Sequence, residues 1–561
     1  MLVSIVTPFF NEEADVTDGA AGTRGEPGQR LVLGALLVLT FLLGCFPMGD
    51  FDVWWHVRSG QLILERGAVP RVDWFTYTNA DRPWIDLYWL FQILLALLYR
   101  AGGASALVLL KAASGVAIVG LTLAARAKGA RAWPVVVAWL PTVVMLSGRL
   151  CERPELASLL FLAGFLTVLA RAPAWPRCLW LLPVMQVLWV NCHGFFVLGP
   201  LVLAAYWVGL VYERLWPNST TVPRPPGKLL ALASAATVLA CGVSPYGLGA
   251  IGLPLEQFHK LGSTGIYRAN IGELKTVGDF VALAGLSNPY LLAYFAVLAL
   301  GVASFVLAGR HGHVHPFRGL IFFAASYLGW RATRNSALFA VVAAFVIAWN
   351  FDDVAARASA PPAAKDSSRS RRAPAARARR NANFALLAAL GALGLATVSG
   401  VLYGWAGEGR TVGLGERKHW YAHDACTFLA RPDLPERIAA FNLGQAAVCI
   451  AHTAPAHKQF MDPRLEVNTQ ETFERYLAGI RKLWREEAGW EIPLGIDYAW
   501  PAEIPALLIE RGVLGRAANN LARDARWRLV HVDAVAVVFV ATAFAEAHGL
   551  AEASERQGSR R

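Results

Sequence analysis

Charge is scarce in this chain. Asp, Glu, Lys and Arg make up 16% of its 561 residues, whereas 55% are hydrophobic and mean hydropathy is +0.41. A soluble domain carries roughly 25% charged residues, so the deficit excludes a water-soluble globular chain and leaves a polytopic membrane protein. Cysteine is scarce too, seven in all, which excludes a disulfide scaffold. Cys45, Cys151, Cys178, Cys192 and Cys241 lie in or beside apolar runs and read as small buried hydrophobes. Only Cys426 and Cys449 share a polar segment, where they could pair if it is exported. Fixed-period repeats are missing throughout, and residues 405–561 carry neither a nucleotide loop nor metal-ligand spacing. The net charge of +12 does not call for nucleic acid, because Lys and Arg concentrate between apolar runs, as the positive-inside rule requires.

What is present is a series of apolar runs. Residues 1–30 read as a cytoplasmic N-terminal segment, with Arg24 and Arg30 marking a signal anchor that begins at Leu31. Within it, the run Val3-Ser-Ile-Val-Thr-Pro-Phe-Phe-Asn-Glu-Glu13 resembles the opening strand and loop of a family 2 nucleotide-sugar glycosyltransferase. The rest of such a domain, including its Asp-x-Asp site, is missing, so the run is assigned no activity. Leu31 to Met48 is long enough to cross a membrane, and a large external loop, 49–103, follows it. Trp84 to Tyr99 reads as an interfacial or re-entrant helix, because only then does the basic loop Arg126 to Arg131 fall inside. Spans near 104–125, 133–147, 154–170, 178–191, 195–212, 229–243, 289–308, 316–330, 336–349 and 384–403 complete eleven crossings, with twelve as the rival count. Residues 351–383, with seven arginines, read as a basic cytoplasmic linker without fixed structure. Residues 405–561 read as a small α/β domain outside the membrane. In it Gln470 to Glu487 and Ile504 to Arg511 are predicted helical, Ala446 to Ala451 a strand, and Trp527 to Asp533 with Ala534 to Val540 a hairpin.

Chemistry concentrates in the first loop. Asp50 caps a helix beginning near Val53 or takes part in a site, and its type alone does not decide between the two. Asp52 has His56 one helical turn on and Arg58 close by, so it is predicted to stay ionised and to accept a proton. Arg149, Glu152, Arg153 and Glu155 cluster at a span end, either locking two helices or offering Arg153 to a phosphate. Arg331 and Arg334, in the loop RATRN, make the same offer. His193, Glu273 and Asp86 are further candidates, each with a structural reading beside the functional one. His311, His313 and His315 alternate in a short basic loop that supplies no fourth ligand.

An acid just past the first span, then an extended Pro-containing loop, then Arg82-Pro83-Trp84 before an amphipathic helix: this order resembles the first external loop of the GT-C glycosyltransferases. Within that superfamily it is similar to the bacterial aminoarabinose transferases, protein mannosyltransferases and Rgt-like sugar transferases. The resemblance covers about 31–349 and implies a helical membrane fold with a soluble C-terminal domain. It implies a sugar transferred with inversion, from a polyprenyl-phosphate donor to an envelope acceptor, at the outer face of a bacterial inner membrane. By position it makes Asp52 the base or metal-associated carboxylate. A divalent ion, Mg2+ or Mn2+, shared by Asp52 and a second carboxylate is compatible with this but not required. Arg58, Arg153 and Arg331 or Arg334 would hold the donor phosphate. The chain departs from the family pattern where Phe51 separates Asp50 from Asp52, and where Cys151 to Glu155 stands in place of a second carboxylate. Two readings from other classes remain: a lipid-linked glycan flippase, for which Lys111 deep in a span is the only sign, and a non-catalytic envelope assembly protein.

Overall fold

The computed structural model describes residues 27–553 apart from 81, 217–222, 264, 313–314, 358–371 and 485–503. The run Val3 to Glu13, His313 and residues 358–371 of the expected linker lie outside the described residues. So does the end of the helix predicted to reach Glu487.

The chain is a multi-pass helical membrane protein carrying a small sheet domain. Six helices among the described residues are long and apolar enough to cross a membrane: Pro27–Gly44, Trp89–Ala124, Gly194–Leu215, Pro289–Arg310, Thr333–Arg357 and Arg377–Val398. Shorter apolar helices, Ala132–Ser147, Pro176–Val190 and Gly227–Ala240, accompany them. At the centre runs Ser336–Arg357, buried at every position from Ala337 to Phe351. A helix apolar on all sides must be surrounded, and this one packs against Ala132–Ser147, Pro289–Arg310 and Pro316–Arg331.

Within 89–124 two helical stretches meet at Gly102 and Gly103, where the backbone leaves helical geometry and φ is +58° at the second glycine, close to the division expected between 84–99 and 104–125. The glycine pair lets the chain turn between its two halves. The linker differs from expectation at both ends. Residues up to Arg357 continue the central helix, and Arg372 begins the helix Arg372–Val398. Alanine and arginine are good helix formers, so a basic composition does not prevent a helix next to an apolar one.

In the C-terminal domain five strands, β1 (Arg437–Ala440), β2 (Lys458–Gln459), β3 (Ala506–Glu510), β4 (Trp527–Val532) and β5 (Ala536–Ala541), order as β2-β1-β3-β5-β4. The hairpin of β4 and β5 is present, with Val532 opposite Val537. Two assignments are exchanged relative to the sequence reading. Ala446 to Ala451 lies in the helix Leu443–Thr453, started by Asn442, whose side chain accepts from the amide of Gly444 at 2.8 Å. Ile504 to Arg511 contributes the central strand β3, because its apolar run is short and gains neighbours on both edges. Cys426 and Cys449 form a disulfide.

Candidate active site

The helix Asp52–Arg66 carries Asp52, His56 and Arg58 and is held on two sides. It crosses Trp89–Ala124 so closely at Gly60 that a Cβ there would lie 2.1 Å from the carbonyl oxygen of Gln92. On its other side the C-terminal domain grips its start. Trp420 Nε1 donates to the carbonyl of Gly49 at 2.8 Å, and the Tyr421 hydroxyl donates to that of Asp50 at 2.9 Å. Phe51 stacks on Trp420 at 5.5 Å and fills the space beside Gly444.

Asp50 touches both the helix start and a neighbouring arginine. Its Oδ1 accepts from the amide of Asp52 at 2.9 Å, bracing the helix start, and its Oδ2 pairs with Nε of Arg153. Arg153 also meets Asp52 at 3.2 Å and Glu273 at 3.3 Å. Glu273 is bound in addition by Arg149 at 3.1 Å and approached by Arg334 at 4.0 Å, while Arg149 lies 4.0 Å from Glu155. Four helix ends and loops thus bring four acids and three arginines together. The side chains of Asp52, Arg149, Arg153, Glu273 and Arg334 each keep between 23 and 28% of their surface accessible, so the cluster faces open space.

Charge is distributed unevenly over it. Burial opposes ionisation of Glu273, but Arg153, Arg334 and Arg149 overcome it and hold the carboxyl below the usual range. Burial also opposes the charge on Arg153, and Asp50, Asp52 and Glu273 more than restore it. For Asp52 burial prevails. Arg153 pulls its carboxyl down, Asp50 and Glu273 push it up again, and it stands at about 7.

Other predicted residues are placed differently. Arg58 is six residues past Asp52, about 240° around the helix, and so cannot share its face. Its Nε and Nη2 both donate to the carbonyl of Ala454, at 3.1 and 3.0 Å, and Nη1 pairs with Glu65, so it fastens the helix to the C-terminal domain. Arg331 ends its helix exposed to solvent, with no ion pair among the described residues. Asp86 is sealed from solvent, accepting from the Tyr88 amide at 3.0 Å and from Gln92 at 3.1 Å, and burial raises its carboxyl to about 7. His56 is buried one turn after Asp52, its Nδ1 3.3 Å from Gln92 Nε2. Burial, reinforced by Arg153, holds it far below the usual imidazole range and therefore neutral. His193 starts the turn Gly194–Val197, with Nδ1 2.8 Å from the Ser158 hydroxyl, and burial lowers it to about 3. Lys111 is paired with Glu152 at 2.7 Å inside the protein.

No family model matches the sequence, and neither does any curated protein. Among solved structures, the oligosaccharyltransferase of Archaeoglobus fulgidus in its apo form is 11% identical and aligns over 89% of this chain and 73% of its own, with a TM-score of 0.50. The chain shares the fold of that enzyme. A form of the same archaeal GT-C enzyme with Zn and sulfate aligns over 91% of this chain and 73% of its own, at 11% identity and TM-score 0.44. ArnT from Cupriavidus metallidurans bound to undecaprenyl phosphate is 14% identical over 91% of this chain and 97% of its own, with a TM-score of 0.48.

As arranged here, the carboxylates of the cluster do not fit a divalent ion. Such an ion needs several free oxygen ligands, but Asp50, Asp52 and Glu273 are each bound by a guanidinium. Among the described residues no group of three His, Cys, Asp or Glu stands together as a ligand set.

Two residues beside the cluster were not singled out in the sequence. Tyr88 presents its ring edge-on to His56 at 5.4 Å and lies 5.6 Å from His193. Burial and the charge of Glu466 keep its phenol protonated and able to donate. Glu466 belongs to a turn of the C-terminal domain whose Arg464 lies 4.4 Å over the ring of Trp84. The available signal was Asp462-Pro-Arg464-Leu-Glu466, a dense set of charges between the apolar pair Phe460-Met461 and Val467.

Proposed function

We propose that the protein moves a sugar from a polyprenyl-phosphate donor to a hydroxyl of an envelope glycan, lipid or protein, with inversion, at the outer face of a bacterial inner membrane. The observation that carries this reading is the accessible carboxylate of Asp52 among three arginines at one end of an apolar helix bundle. The name of the archaeal GT-C neighbour, oligosaccharyltransferase, points to the same class of reaction. A lipid-borne donor needs no nucleotide fold.

In the reaction the acceptor oxygen forms a bond to the anomeric carbon as the bond from that carbon to the phosphate oxygen breaks. The acceptor proton passes to Asp52, and the electron pair leaves with the phosphate. Arg153 and Arg334, fixed charges at the cluster, stabilise the charge gathering there. Glu273 holds the three guanidiniums together when no phosphate is bound. Arg58 and Arg331 have no part in it.

Mass spectrometry of envelope glycans and lipid-linked sugars, with and without the protein, tests the reading. Accumulation of polyprenyl-phosphate sugar in its absence is expected, and an unchanged pool would overturn it. Because Asp52 must be ionised to accept a proton and titrates at about 7, kcat/KM should fall tenfold per pH unit below about 7 and level off above it. A profile flat from pH 5 to 8 would exclude Asp52 as the base. Arg334→Ala should raise KM for the donor by about ten- to hundredfold, the worth of one charge-assisted contact, whereas Arg331→Ala should leave it within about twofold. Steady-state kinetics on the two variants check the contrast, and equal effects would refute the assignment.

A further inference from the structure

A cavity of about 220 Å³ opens at the other end of the helix bundle. That is far above the ~10–15 Å³ needed to admit one water. Glu155 and Arg334 stand at the Asp52 end. The cavity residues Leu169 and Trp349 lie roughly 20 Å further along the helices that begin beside these two. Glu213 and Arg318 sit at the matching ends of Leu198–Leu215 and Pro316–Arg331. Four helices therefore agree that this cavity and the Asp52 cluster occupy opposite ends.

Its lining combines both signs of charge with aromatic walls. Glu213 lies between Arg224 at 3.7 Å and His315 at 3.6 Å. Arg318 is held by Asp353 at 2.6 Å and Asn350 at 3.0 Å, and His315 reaches Asp353 at 3.3 Å. Tyr206 and Trp349 form apolar walls. Arg224 keeps 44% of its side chain exposed and meets Glu213 only at long range, so its guanidinium can swing to a ligand.

At the end of an apolar helix bundle the molecules at hand are lipid headgroups, and basic pockets between such helices are places where headgroups bind. We propose that this cavity binds a phospholipid headgroup carrying both a phosphate and a primary ammonium. Arg224 and Arg318 face the phosphate as bidentate donors, and Glu213 accepts from the ammonium. A purely anionic headgroup would bring its charge against Glu213 with no ammonium to compensate. A choline headgroup has no N–H to donate.

The test uses the full-length protein in detergent, titrated with phosphatidylethanolamine, phosphatidylglycerol or phosphatidylcholine. Bound lipid is counted by native mass spectrometry and the thermal midpoint is followed in parallel. Phosphatidylethanolamine should be retained in preference to the other two and should raise the midpoint. Arg224→Ala should weaken its retention about tenfold or more, as should Glu213→Gln. Asp52→Asn should retain it unchanged, which separates this cavity from the donor site. Arg224 is exposed enough for its variant to fold even if Glu213→Gln does not. Equal retention of the three lipids, preference for phosphatidylglycerol, or undiminished retention by Arg224→Ala would each overturn the proposal.

Discussion

Asp52→Asn is expected to lower glycosyl transfer by about 10²–10⁴-fold, the usual worth of a general base, while the protein folds and inserts normally. The amide keeps the size and shape of the carboxyl, and with 24% of the side chain accessible it can be hydrated where it loses Arg153. Only the ability to take a proton is removed. Stability should move in the opposite direction to activity. The Asp52 carboxyl is raised from 3.8 to about 7, so its contribution to folding is whole below the ordinary carboxyl value and lost as the pH rises through about 7. At pH 8 the ionised group burdens the folded state, and the neutral amide should equal or exceed the wild type in thermal midpoint. Functional groups held against their own solvation commonly trade stability for activity in this way. Transfer assays at saturating donor, paired with unfolding curves at pH 6 and 8, read both quantities. Full transfer by the variant would remove Asp52 from the mechanism.

The largest effect on stability is expected at a residue outside the Asp52 ion cluster. Arg464 of the C-terminal domain is completely buried with Asp73 of the first loop and Asp462 beside it, each at 2.5 Å. Asp73 also accepts from the amides of Phe75 and Thr76 at 3.0 Å, and Arg464 lies over the rings of Phe75 and Trp84. Arg464→Met leaves two carboxylates facing each other without water or a cation. The cost of stranding buried charge is about 3–5 kcal/mol. The first loop should then come away from the sheet edge, where Gln459 exchanges backbone hydrogen bonds with Phe75 and Tyr77 at 2.8 and 3.1 Å. Thermal unfolding and limited proteolysis within 67–88 would report this. The triple variant Asp73→Asn, Arg464→Met, Asp462→Asn should recover much of the loss, since nothing charged remains buried. A loss below about 1 kcal/mol for Arg464→Met would mean the group is hydrated after all.

How much of this was legible in the sequence depended on the range of the interaction. Apolar runs and the hairpin are local patterns, and their elements stand close to where periodicity puts them. Arg58 could have been excluded by helical phase alone, since six residues cannot return a side chain to the face of Asp52. Arg331 and Arg334 differ only in which side of a helix end they leave from, which becomes visible once Glu273 is in place beside one of them. Short segments of alanine and aliphatic residues misled in both directions. At 443–453 the Asn442 cap favoured helix, and at 506–510 two neighbouring strands favoured extension. The pairing of Asp73 with Arg464 spans most of the chain, and no spacing rule reaches that far. A dense group of charges in an apolar setting was the one trace it left.

The grip of Trp420 and Tyr421 on the carbonyls of Gly49 and Asp50 sets an order of events during synthesis. The acid-bearing segment is synthesised some 370 residues ahead of the clamp that holds it. At typical elongation rates of ~5–20 residues per second, that interval is on the order of half a minute. Until Trp420 and Tyr421 are in place, the carbonyls of Gly49 and Asp50 lack these two partners. The arrangement of the first-loop acids is therefore set only after residues 420 and 421 have been made and folded.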